Sequence, residues 1–134
     1  MIKNEAICWL LSNIMIIDNK ISQQELDAFN RVCLQLGVDQ DSKQSFLFAL
    51  KGGKTKEQII LLGREAARTL AEESRGEREM IIDELHAMAI SDGLIKEEEN
   101  YINWCKNILL FEDEWEKEVI DENIIIDEDF TNLY

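Results

Sequence analysis

Apolar residues recur at steps of three and four along nearly the whole chain, and no proline interrupts them. That spacing lines them up on one face of an α-helix, and without proline few points force the backbone off that path. Ile7, Leu10, Leu11, Ile14 and Ile17 predict a first helix, closed by a turn at Asp18-Asn19-Lys20. Leu26, Phe29, Cys33 and Leu36 predict a second, which Gly37 stops. A third opens near Asp39 or Asp41, carries Phe46, Leu47 and Leu50, and ends at Gly52-Gly53. Thr55, with Gln58 three residues on, can cap a fourth whose stripe is Ile59, Leu62, Ala66 and Leu70. Gly76 marks a break before a fifth, built on Ile81, Leu85, Met88 and Ala89. After a turn at Asp92-Gly93, a sixth follows from Tyr101, Trp104, Cys105 and Ile108, and Glu112 to Ile120 can supply a short seventh.

The fold class is therefore all-α: a single helical bundle of six to seven helices over residues 1–120. In residues 121–134 the β-branched Ile124, Ile125 and Ile126 sit among acids, so a short extended segment competes with a frayed helix. That stretch reads as an acidic, partly ordered C-terminal tail.

Composition narrows the function. A chain of 134 residues suits one domain, and 46% hydrophobic with 31% charged residues describes a globular protein. Twenty-eight acids against 14 bases leave a net charge of −14. Such a field repels phosphate backbones and anionic lipid, which argues against nucleic acid and favours a basic protein partner or a hard cation. The apolar run Ile7 to Ile17 is too short to span a bilayer and follows Glu5 rather than a basic segment, so it predicts a buried helix, with no membrane insertion.

The single histidine, His86, cannot furnish a zincin pair or a di-iron centre, and it reads as a boundary side chain. Cys8, Cys33 and Cys105 contain no C-x-x-C pair and read as free, buried thiols of a cytoplasmic protein. Gly53-Lys54-Thr55 imitates the end of a phosphate-binding loop, but Phe48 stands where the first glycine is needed, so the glycines are a helix stop. Trp9 and Trp104 are expected in the core. Trp115, among Glu112, Asp113, Glu114 and Glu116, is expected to be exposed, as a partner contact would be.

The chain also matches itself at an offset of 74 residues. Asp18 falls on Asp92, Asn19 on Gly93, Ile21 on Ile95 and Glu25 on Glu99, while Glu5, Ile7 and Leu11 fall on Glu79, Ile81 and Leu85. Two pseudo-repeated helix-turn-helix units account for this pattern. Each would be an apolar helix, an aspartate-led turn, an isoleucine, and a second helix entered through acids.

Those acids have two readings. Ser22 and Glu25 are spaced as a capping box, with Ile21 and Leu26 as its hydrophobic staple, and carboxylates in a first turn favour the helix dipole. Alternatively, Asp-Gly-x-Ile-x-x-x-Glu matches the second half of an EF-hand loop. The template's first and third positions are then Ile14 and Ile16, or Met88 and Ile90, and apolar side chains cannot hold calcium. This argues against a true EF-hand and against tight calcium binding by either loop alone.

A helix ending in a short Asp-Gly turn, then isoleucine, then Glu seven residues after the Asp, twice in a small acidic chain, resembles the TerB family, named for tellurite resistance. It also resembles the amino-terminal region of certain membrane-anchored J-domain co-chaperones. The likeness covers about Glu5 to Leu110; the departures are Asn19 for glycine, and Ile17 and Ser91 where alanine is typical. The resemblance implies a bundle of two related halves, acids gathered in one region, and metal association. If the halves pack about a pseudo-twofold axis, Asp18, Glu25, Asp92 and Glu99 approach one another. Four carboxylates so placed need a cation between them, and a hard divalent ion such as calcium or manganese would suit.

The expectation is a non-enzymatic, cytoplasmic interaction or stress-response module with a protein partner and weak divalent-cation binding at those carboxylates. The alternative is a metal-dependent enzyme using the same four groups. An apolar helix face leaves room for a homodimer.

Overall fold

A computed structural model describes residues 1–17, 21–90 and 96–110. They form six helices: α1 (Lys3–Met15), α2 (Gln23–Gln35), α3 (Gln40–Lys51), α4 (Lys56–Leu70), α5 (Arg75–Ile90) and α6 (Lys96–Leu109). There is no strand among the described residues. The all-α expectation and its first six helices hold. The expected seventh helix, Trp115 and the 121–134 tail lie outside the described residues.

Helix α1 is the centre of the bundle. Every residue from Ala6 to Met15 is buried, including Ser12 and Asn13, which is the signature of a helix surrounded on all sides. It packs against α2, α3, α4 and α5, most extensively against α4, while α6 lies against α4 and α5. Ser12 spends its hydroxyl on the Trp9 carbonyl at 2.7 Å, and Asn13 donates to Trp9 O at 3.0 Å and to Ile59 O of α4 at 3.1 Å. The buried amide thus joins two helices and leaves neither N–H unmet. Trp9 meets Phe46 of α3 edge-to-face at 4.8 Å, and Phe46 in turn contacts Phe29 of α2 at 5.2 Å.

The helix ends follow from local chemistry. Ser22 and Glu25 form a full capping box on α2, and Thr55 and Gln58 form another on α4. Asp39 caps α3 through Ser42 N. Gly37 takes φ +74° while Val38 N bonds Cys33 O and Gly37 N bonds Leu34 O, the paired bonds that close a helix with a left-handed residue. Gly53, at φ +89°, follows the end of α3, as expected of a stop rather than a phosphate loop.

Gly76 corrects the sequence reading. It lies inside the first turn of α5, and the break precedes it at Ser74, whose hydroxyl accepts from Glu77 N. Serine at the cap position outweighs glycine as a boundary signal, and glycine costs only about 1 kcal/mol within a helix. The other end of the α5–α6 hairpin is closed by arginines: Arg78, itself buried, donates to Leu109 O, and Arg75 donates to Leu110 O, both at 2.8 Å. Cations there also meet the negative end of the α6 dipole.

The two hairpins differ in surroundings. Ser12 and Asn13 are buried in α1, whereas His86 and Ala87, their counterparts at the 74-residue offset, are half-buried and exposed in α5.

Candidate functional site: a cleft between α4 and α6

The carboxylates singled out by spacing are only partly placed. Asp18 and Asp92 lie outside the described residues. Glu25 is half-buried, and its Oε1 accepts from Ser22 N at 3.2 Å and Ser22 Oγ at 3.1 Å, so this carboxylate is engaged in capping. Glu99 is exposed in the first turn of α6. Among the described residues, no group of three or more His, Cys, Asp or Glu side chains could hold a metal.

A different constellation forms a cavity of about 210 Å³ where α4 and α6 diverge over the end of α1. Helix α4 contributes Lys56, Ile60 and Arg64, spaced four residues apart on one face. Helix α6 contributes Glu97, Tyr101 and Trp104, again a single stripe, while Asn13 of α1 and Ile16 and Ile17 just past its end lie below them. The floor is aliphatic and one wall is aromatic, with Tyr101 and Trp104 stacked at 6.3 Å and 19° between ring planes. Along the opposite wall stand two cations of a strongly acidic chain.

Each part of the cleft is anchored. The Tyr101 hydroxyl donates to Leu10 O at 2.7 Å, and burial pushes its phenol well above the usual range, so the ring is fixed and its proton stays on. Lys56 Nζ donates to Ile17 O at 3.3 Å, where the α1 carbonyls run out of partners of their own. Gly63, the bottom of an α4 turn, lets Asn13 approach: a Cβ there would stand 2.2 Å from Asn13 Nδ2. Trp104, expected in the core, is only partly buried and forms part of the cleft wall instead.

The thiols are inert by position. All three are buried and free. Cys8 and Cys33, distant in sequence, meet between α1 and α2, and their mutual hydrogen bond together with burial pushes the Cys8 thiol up. Burial pushes Cys105 up to about 12. The hydrogen bond with Cys8 lowers Cys33 in turn, but burial keeps all three thiols away from an incoming reagent.

Sequence reasoning missed the cleft because its parts look ordinary one at a time. The readable signal was the Lys-x-x-x-Ile-x-x-x-Arg stripe on α4, two cations on a face that also carries an isoleucine.

A model of the tellurite resistance protein TerB family matches residues 4–114. The chain belongs to the TerB family. No curated protein and no solved structure matches it. The family match spans all six helices, so the TerB unit here comprises both the central α1 and the cleft that α4 and α6 form over its end.

Proposed function

We propose that this TerB-family chain is a non-enzymatic, cytoplasmic module of the tellurite-resistance type that works by binding a protein partner, with weak divalent-cation association at Asp18, Glu25, Asp92 and Glu99. The observation that carries the reading is the family match across residues 4–114. The character of the cleft supports it. A metal enzyme needs an acid-lined concavity with an open coordination position, whereas this cavity is aliphatic and aromatic with a single carboxylate, Glu97, among its described lining residues. The net charge of −14 supports a basic partner surface. No helix among the described residues is long and apolar enough to cross a membrane.

Deleting the gene in its host should raise sensitivity to tellurite, and the intact gene should restore growth. Unchanged growth across tellurite concentrations would remove the stress-response reading. Titrating the purified chain with calcium or manganese should move the NMR signals of the four carboxylates together. Carboxylate signals that stay still would remove the cation.

A further inference from the structure

We propose that the cleft between α4 and α6 binds a small aromatic carboxylate, with the ring against Tyr101 and Trp104 and the carboxylate against Arg64 and Lys56. The proposal rests on the reading of the chain as a binding module, and it names the ligand class of one site. Three independent features converge on it. The cavity is concave and its floor is Ile16, Ile17 and Ile60, so an apolar body gains by leaving water there. The wall is a stacked aromatic pair whose phenol is already committed to Leu10 O, leaving ring faces and edges as the surface on offer. The third is charge.

The chain as a whole repels anions, so a wall carrying Lys56 and Arg64 makes an exception within its own field. Arg64 is exposed and forms no ion pair among the described residues. Its planar guanidinium matches a carboxylate in two parallel hydrogen bonds. Lys56 is steadied by Ile17 O, which holds the ammonium over the same opening. Glu97 stands on the other wall, and this fixes polarity: the ligand's negative end belongs on the α4 side and its ring on the α6 side. A cationic ligand would face two like charges, and a neutral one would leave the guanidinium without a partner.

The test is a titration of the 134-residue chain, ¹⁵N-labelled, with 2-naphthoate, 2-naphthamide and 2-naphthylmethylamine. The three probes share a ring system and differ in charge. Naphthoate should give saturable shifts at the backbone amides of Arg64 and Tyr101 and at the Trp104 indole N–H. It should bind about 2–5-fold more tightly than the amide, the range expected of one exposed charge-assisted pair. Arg64→Gln should bring naphthoate most of the way to the affinity of naphthamide, with Lys56 holding the remainder, Arg64→Lys should keep more of the preference, and Glu97→Gln should tighten naphthoate. Each substituted side chain is exposed, and an unchanged urea midpoint will confirm that folding is intact.

Equal affinity for the three probes overturns the anion assignment. Shifts centred elsewhere, or no saturation below about 5 mM, overturn the site. A failure here with the tellurite phenotype intact removes the ligand proposal alone, and loss of the phenotype with naphthoate binding intact removes only the stress-response reading.

Discussion

Gly63 and Asn13 show how one residue can fix the approach of two helices. Alanine is the better helix former by about 1 kcal/mol, so Gly63→Ala in isolation should stabilise α4. Its Cβ would instead meet Asn13 Nδ2, Cγ and Oδ1 at 2.2, 2.6 and 2.8 Å, and the amide would lose its bonds to Trp9 O and Ile59 O. Gly63→Ala should therefore destabilise the fold by about 1–3 kcal/mol in urea unfolding. In an Asn13→Ala background the same change should cost much less, because the obstruction is gone. Equal costs in the two backgrounds would refute the contact. The thiols offer a second check at this scale. With all three buried and Cys105 raised to about 12, an aromatic disulfide reagent at pH 8 should label none in the native chain and all three in denaturant.

Between elements, polar side chains at helix ends do the joining. Arg78 crosses from α5 to the Leu109 carbonyl at the end of α6 and is only 6% exposed. Arg78→Ala leaves that carbonyl unmet and should cost about 2–3 kcal/mol, whereas exposed Arg68→Ala should cost under about 0.5 kcal/mol. The start of α1 is tied to the start of α5 by Lys3 and Glu77, with Glu73 at 3.9 Å from the same ammonium. Lys3 holds the Glu77 carboxyl below its usual range. A carboxyl whose folded pKa is depressed stabilises the fold above its unfolded value and loses that contribution as pH falls through the folded one. The stability difference between the native chain and Glu77→Gln should thus be present at pH 7 and fade below about pH 4.5. Both side chains are more than a third exposed, so the difference should stay within several tenths of a kcal/mol. A difference that grows in acid would contradict the pairing.

At the scale of the whole molecule, an excess of 14 negative charges surrounds a core centred on one helix. Self-repulsion opposes compactness, and salt screens it over about 10 Å at 0.1 M. Sodium chloride raised from roughly 0.02 to 0.2 M should therefore move the urea midpoint upward. A downward shift would mean that specific ion pairs outweigh the general repulsion. The same screening should weaken naphthoate at the cleft, because its carboxylate pairs with an exposed guanidinium. Global stability and ligand affinity should then respond to salt with opposite signs.

The sequence by itself determined the class, the six helices and most of their ends. Periodic burial, capping boxes at Ser22 and Thr55, and the left-handed glycines at 37 and 53 act within a few residues and need no partner from elsewhere. It also carried the family, since the aspartate-led turns are a short local pattern. Gly76 misled because two local signals compete there and the serine cap wins. Tertiary structure decided the rest. Only packing shows that α1 is buried on every side, that Cys8 meets Cys33, and that Glu25 is committed to its cap. The cleft belongs wholly to that level: Lys56, Arg64, Tyr101 and Trp104 are near one another only because α4 and α6 both lie over the end of α1, and no spacing along one helix encodes the distance between two.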